Sequence, residues 1–326
     1  MGFTFIDLFA GIGGFRLGME KAGGRCLFSS EINSSCIQTY QKNFSETPFP
    51  DVRQVKAEML PDFDLLCAGF PCQAFSLAGK QLGFNDTRGT LIFDVFRIIK
   101  AKNPKVVVLE NVKNLIHHDK GNTFKVIKKN LEELGYIVSW KILNAVDFLT
   151  PQNRERIIIV ATQNKKFDFN EVQTYPRKPL IDFLDSTPGT NLITPDKYTL
   201  LENTNTQKSG LVFCGYLNKT IRKNGVRENT EHLSRTHRQP NRIYSALGSH
   251  PTLSAQETAG RYYIHIPNQN VVRKLTINEC YRIMGFPKDF IKSTTTTEAY
   301  RQIGNSVCVN MVSAVAENLV KNLYLI

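Results

Sequence analysis

A chain of 326 residues with 41% hydrophobic and 21% charged side chains can bury a full core, and none of its apolar runs nears the roughly eighteen residues that span a bilayer. Its formal charge of +12 favours a polyanionic partner, and eleven Lys/Arg against four acidic residues between Leu200 and Lys274 make that region the candidate phosphate-contacting surface. Seven cysteines without a CxxC pair argue against a disulfide framework or a zinc site, and the nearest thing to metal spacing, Cys214 with His232 and His237, lacks the paired-cysteine half, so no metal is expected.

Taken in chain order, β-branched runs at residues 4–9, 25–30, 65–68, 105–109, 136–144 and 157–162 predict strands. Between them, residues 15–22, 34–43, 91–102 and 123–134 carry apolar side chains three or four apart, as half-buried helices do. The alternation predicts a doubly wound α/β domain with a mostly parallel sheet. From about Tyr175 the texture changes: Pro176, Pro179, Pro188 and Pro195 punctuate the chain, and short strands are expected, such as those at 210–216 and 261–266. Helical period resumes at 276–284 and 307–323. The organisation expected is one domain built from residues 1–175 and 288–326, with a smaller loop-rich β domain, 176–287, inserted before the C-terminal helix. The N-terminus shows no basic leader or cleavable apolar stretch, which points to a cytoplasmic address.

The first strand runs into Asp7-Leu8-Phe9-Ala10-Gly11-Ile12-Gly13-Gly14, a glycine turn opening a helix at the carboxyl edge of the sheet, where ligands bind in such folds. A lone Gly-x-Gly is weak evidence, and the third glycine of a dinucleotide fingerprint would fall at Arg16, so a nicotinamide oxidoreductase is a distant reading. The second strand ends at Glu31, a carboxylate suited to the two ribose hydroxyls of an adenosine cofactor, and Asp51 suits the adenine amine. Taken singly, each is better explained as a solvated loop acid or a helix cap.

Cys72, in Gly69-Phe70-Pro71-Cys72, follows the third strand and emerges at that same edge, where a thiolate serves as a nucleophile. A lone cysteine is usually a small core residue, and Cys26, Cys36, Cys67, Cys280 and Cys308 are assigned there. Glu110 ends the next strand after four apolar residues, so burial is expected to favour its protonated form and a general-acid role. Arg154 and Arg156, in Gln152-Asn153-Arg154-Glu155-Arg156, supply planar guanidiniums for a carbonyl, carboxylate or phosphate.

With these come Arg273-Lys274-Leu275-Thr276, Met284-Gly285-Phe286-Pro287 and Gly304-Asn305-Ser306-Val307. In this order the motifs resemble those of the bacterial DNA cytosine-5 methyltransferases over nearly the whole chain, most closely the small HhaI-type restriction–modification enzymes. The resemblance implies that Cys72 attacks a flipped-out cytosine in double-stranded DNA, with Glu110 the acid at ring nitrogen 3, Arg154 at the cytosine carbonyl and Arg156 in support. It implies S-adenosylmethionine held by Phe9, Gly11, Gly13, Glu31, Ile32, Asp51, Val52, Pro71 and Leu91, and closed in by Asn305 and Ser306. Ile32 stands where the family often has a tryptophan, so apolar packing on adenine is expected instead of stacking. The segment 76–88, with Ser76, Lys80 and Arg88, resembles a mobile catalytic loop that closes on DNA phosphates. The smaller domain resembles a target-recognition region, with Gln239, Arg242, Tyr244, Thr252 and Leu253 as DNA-reading residues. A restriction endonuclease working in parallel and a monomeric state are further implications. Two rivals stand beside this: an RNA (tRNA) cytosine-5 methyltransferase on the same fold, against which the absence of a Cys-Phe-Thr tripeptide from the smaller domain argues, and a non-catalytic DNA-binding regulator, against which Cys72, Glu110 and Arg154 together argue.

Overall fold

The computed structural model describes residues 2–71, 91–187, 192–204, 206–218, 221–230, 232–255, 262–322 and 324. By its contacts the chain forms two units: residues 1–143, 155–174 and 306–326, and residues 144–154 and 175–305. The second unit thus takes in 144–154 and 288–305, both of which the sequence boundaries had placed with the first.

Unit 1 is built on a six-stranded sheet in the order β2-β1-β3-β4-β7-β5, where β1 is Phe3–Leu8, β2 Gly24–Ser30, β3 Leu65–Ala68, β4 Val106–Val112, β5 Ile137–Asn144 and β7 Glu155–Thr162. The pairs β1–β2, β1–β3 and β3–β4 are parallel, and β4–β7 is antiparallel. The helices are α1 (Gly14–Lys21), α2 (Ser34–Phe44), α3 (Ile92–Lys102) and α4 (Asn122–Glu133). The doubly wound reading and every expected strand of this unit are therefore present, with ends displaced by at most three residues.

The middle strands read as unbroken apolar runs because both faces are covered: Leu65, Leu66, Cys67 and Ala68 of β3 and Val106–Leu109 of β4 are all buried. Each such aliphatic side chain contributes about 1.5–3 kcal/mol by leaving water. That burial fixes the ends of β3 and β4 side by side, in the register Ala68↔Leu109.

Arg16, where a dinucleotide fold would place its third glycine, instead fastens α1 to the end of α2. Its guanidinium pairs with Glu46 at 2.6 Å and Glu20 at 2.7 Å and lies 4.4 Å from the Phe44 ring centre.

Unit 2 carries a second six-stranded sheet, β8-β14-β13-β11-β10-β9, in which β8 is Leu192–Ile193, β9 Tyr198–Leu200, β10 Phe213–Leu217, β11 Arg242–Ser245, β13 Tyr263–Ile266 and β14 Val271–Lys274. A two-stranded parallel patch pairs β6 (Gln152–Asn153) with β12 (His250–Pro251). Two helices follow, α5 (Ile277–Arg282) and α6 (Thr296–Asn305), and the chain returns to unit 1 as α7 (Val309–Lys321). Helix α6 was not foreseen, because its Thr-rich start hides the apolar spacing of Ala299, Tyr300 and Ile303.

The Arg273-Lys274-Leu275-Thr276 motif builds the joint between β14 and α5. Thr276 and Glu279 form a reciprocal capping box, and the Glu279 carboxylate also takes two 2.7 Å bonds from the buried Arg273 guanidinium and one from the Asp185 backbone N–H. No helix among the described residues is long and apolar enough to cross a membrane.

Candidate active site

Within unit 1, the site begins where β1 ends. Phe9 takes a left-handed backbone, φ 59°, unusual for a bulky residue and a mark of a constrained functional turn. Gly11 follows at φ 56°, and a Cβ there would meet nothing within 4 Å, so the turn leaves open space against bare backbone. Gly14 is required for a different reason: a Cβ would lie 2.5 Å from Ser306 Oγ and 2.9 Å from Val307, so α1 starts directly against the returning C-terminal segment.

The Glu31 carboxylate sits across this turn, accepting hydrogen bonds of 2.8 Å from the backbone N–H of Gly11 and of Asn33. Next to it Ile32 is 66% exposed, an apolar side chain left in solvent at a strand end. Asp51 caps the short turn Val52–Gln54 and is gripped by Arg53 at 2.6 Å, which holds its carboxyl below the usual carboxylate range. Val52 is buried in the core behind it. An open glycine turn, a carboxylate across it and an exposed apolar side chain fit an adenosine-bearing cofactor. Pro71 is exposed and Leu91 half-buried at the start of α3; Ser306 is half-buried and Asn305, in unit 2, is exposed.

The acid lies on β4. Glu110 is 9% exposed, and its carboxylate pairs with Arg156 Nε at 3.0 Å. Antiparallel pairing sets this up: Glu110 lies opposite Ile158, and Arg156 projects from the same face of β7 two residues away. The buried acid expected from the apolar run is thus one half of an ion pair.

Asn111, quoted only as part of a motif, has a legible task. Its side-chain N–H donates to the carbonyl of Phe70 at 2.8 Å, and its oxygen accepts from the Val112 N–H. The β3–β4 ladder ends at Ala68↔Leu109, and the amide continues the tie beyond it, toward the residues that lead into Cys72. Cys72 itself, with Ser76, Lys80 and Arg88, lies outside the described residues.

Asp7 was also missed. It is fully buried, neither carboxyl oxygen has a hydrogen bond of ordinary length, and burial pushes its pKa up to about 8 against the opposing influence of the Cys67 thiol and the Arg16 backbone N–H. Cys26, Cys67, Cys280 and Cys308 are buried as assigned, and Cys36 is half-buried.

Three expectations need correction in unit 2. Arg154 is 1% exposed, and its guanidinium donates at 2.9 Å to the backbone carbonyls of both Leu253 and Gly304. It is therefore spent on holding chain segments, whereas Arg156 is the arginine placed against Glu110. Tyr244 is 2% exposed and packs with Leu211, Phe213 and Tyr262, so its ring belongs to the core of the unit. Leu253 is likewise buried.

Gln239 is exposed on the short turn before β11, Arg242 is half-exposed with Nε donating to the His237 carbonyl at 3.1 Å, and Thr252 is half-exposed with its hydroxyl bonded to the Asn153 carbonyl. His237 stacks on Tyr216 with centres 3.9 Å apart.

An open glycine turn with a carboxylate across it, and a buried acid paired with arginine at neighbouring strand ends, define a group-transferring α/β enzyme of the methyltransferase kind. Residues 3–321 match the family of C-5 cytosine-specific DNA methylases, and the chain belongs to that family. It is 41% identical over 330 residues to the type II methyltransferase M.HhaI of Haemophilus parahaemolyticus, across 98% of this chain and 94% of the relative. To the type II methyltransferase M.HaeII of Haemophilus aegyptius it is 40% identical over 320 residues, across 98% and 93%.

Among solved structures, a putative DNA modification methyltransferase encoded within an E. coli prophage shares the fold at TM-score 0.71 and 20% identity, over 98% of this chain and 99% of that one. The S. pombe Dnmt2 methyltransferase does so at TM-score 0.69 and 20% identity, over 98% and 99%. The protein is a DNA (cytosine-5-)-methyltransferase that depends on S-adenosylmethionine.

Proposed function

We propose that the site works through Cys72, Glu110 and Arg156 on a cytosine extruded from double-stranded DNA, and that the ion pair between Glu110 and Arg156 is the observation that carries this assignment. Carbons 5 and 6 of cytosine lie within the stacked duplex, so the base must leave the helix, at a cost of roughly a few kcal/mol. As the base enters, Glu110 takes up a proton from solvent; the Cys72 thiolate adds to carbon 6 and Glu110 passes that proton to ring nitrogen 3, which leaves carbon 5 nucleophilic. Arg156, fixed by Glu110, offers its guanidinium to the cytosine carbonyl; this is the role the sequence suggested for Arg154. S-adenosylmethionine supplies the methyl group that carbon 5 takes up. With S-adenosylhomocysteine left behind, loss of the carbon-5 proton to solvent and return of the ring-nitrogen proton to Glu110 expel the thiolate and restore the aromatic ring.

Phe9, Gly11, Gly13, Pro71, Leu91, Asn305 and Ser306 are assigned to the cofactor. Glu31 is suited to its ribose, and Ile32 with Val52 to the adenine face. Asp51 takes the adenine amine by exchanging part of its grip on Arg53. Gln239, Arg242 and Thr252 face the DNA, with Ser76, Lys80 and Arg88 on its phosphates. Full-length likeness to type II methyltransferases supports a protective role opposite a restriction endonuclease. The enzyme is taken to act as a monomer in the cytoplasm.

The test is methyl transfer from labelled S-adenosylmethionine to duplex DNA, followed by trapping on a duplex whose target cytosine carries fluorine at carbon 5. The parent protein transfers the label and forms a covalent adduct. Cys72→Ser binds DNA but does neither, and an adduct in that variant overturns the assignment.

A further inference from the structure

The segment 250–253, which the proposed function places at the DNA, is held along its length by residues 151–154. His250 N–H donates to the Pro151 carbonyl at 2.7 Å, and β12 pairs with β6 through His250↔Gln152 and Pro251↔Asn153. Thr252 Oγ1 donates to the Asn153 carbonyl at 2.5 Å, and Leu253 N–H donates to Gln152 Oε1 at 3.0 Å. Arg154 completes the series. One terminal nitrogen of its guanidinium reaches the Leu253 carbonyl and the other the Gly304 carbonyl, each at 2.9 Å.

Those two carbonyls belong to chain segments packed backbone against backbone, since a Cβ on Gly304 would lie 2.2 Å from the Ser254 carbonyl oxygen. Buried carbonyls need donors, and a planar fork with two separated N–H groups serves both at once, which a lysine ammonium cannot reproduce. The outcome is an alternating presentation: Leu253 is buried as an anchor, while Thr252 is half-exposed and Ser254 exposed on either side of it.

We infer that Arg154 is a positioning residue for target recognition: by fixing the carbonyls of Leu253 and Gly304 it sets the conformation in which Thr252 and Ser254 meet the DNA, and so sets sequence discrimination. The inference rests on the reading that this segment faces the target.

Its test uses the full-length enzyme and its own target, mapped by methylation-sensitive sequencing, with kcat and KM measured on that duplex and on duplexes altered at one base pair. With Arg154→Lys, the ratio of kcat/KM between the true and altered targets falls by about tenfold or more, the order of one base-pair mismatch. KM for DNA rises, while kcat on saturating true target stays within about threefold, a split that marks binding rather than chemistry.

Gln152→Met, which withdraws the acceptor of the Leu253 N–H and leaves the guanidinium in place, lowers the ratio in the same direction. A kcat loss with the ratio unchanged would mean that Arg154 touches the reacting base, and overturns the inference. So does a lower melting temperature with an unchanged ratio in whichever variant folds. A parent protein that transfers no methyl group to DNA cytosine sinks the proposed function instead, so the two failures are distinguishable.

Discussion

The glycine turn of unit 1 and the 250–253 segment of unit 2 are both held in place by hydrogen bonds, but of different kinds. Around the turn, backbone ladders do most of the holding: β1 pairs with β2 and β3, and Glu110 is aimed at Arg156 by the register of β4 against β7. Around 250–253 the ladder is two residues long, and the rest is side chain to backbone, from Gln152, Thr252 and Arg154. A ladder is a repeating device that any β-forming sequence can supply, whereas a side-chain tie depends on one residue type at one position. Chemistry shared by a whole family suits the first, and a recognition surface that must differ between targets suits the second.

That contrast can be broken first at the acid. Glu110→Gln keeps the shape of the side chain and its strand but has no proton to give; kcat should fall by roughly 10²–10⁴-fold. Adduct formation on the fluorinated duplex should fall with it, while circular dichroism stays unchanged. A kcat within a few-fold of the parent would remove Glu110 from the mechanism.

The next effect in size is expected in unit 2. Glu279→Ala strips the buried Arg273 of its 2.7 Å partner and α5 of its capping box, and should cost about 3–5 kcal/mol in a urea titration. In unit 1, where burial of regular strands dominates, losing the exposed pair between Lys113 and Glu155 should cost about 1 kcal/mol or less.

The most diagnostic effects concern pH, and the two units should respond in opposite senses. Asp7 holds a proton in the fold up to about pH 8 that the unfolded chain loses near 3.8, so its stabilising contribution declines as pH rises through that window. His250 is fully buried with Nδ1 2.6 Å from the Pro251 carbonyl, which can only accept, so Nδ1 carries the hydrogen. Burial lowers its pKa from 6.5 to about 4, and the unfolded chain takes up a proton that the fold refuses. Stability from His250 is therefore complete above 6.5 and is lost as pH falls toward 4. Denaturant titrations between pH 4 and 8 should show Asp7→Asn removing a fall in stability with rising pH across the whole range, and His250→Gln removing a rise confined to the acid side, below about 6.5. Unchanged slopes in both variants would show that neither group is linked to folding.

Much of unit 1 was legible because its signals are local. Strand ends, the glycine turn, Glu31 and Glu110 follow from runs of four to eight residues whose burial dictates their type. The roles of Asn111 and Asp7 were not legible, because the tie to Phe70 and the full burial of the Asp7 carboxyl depend on what neighbouring strands bring. In unit 2, Tyr244 and Leu253 carry no periodicity that distinguishes a core residue from a reading one, and α6 hides behind threonines. The choice between Arg154 and Arg156 had no local signal either, since both are arginines two apart on an extended chain.

By itself the sequence determined the family, the α/β architecture and the chemical types gathered at the strand ends, because these rest on motifs and hydrophobic period. Tertiary structure decided which arginine pairs with the acid and which ties the 250–253 segment. Residues 154, 253 and 304 are distant in the chain, and only folding makes their carbonyls and guanidinium neighbours.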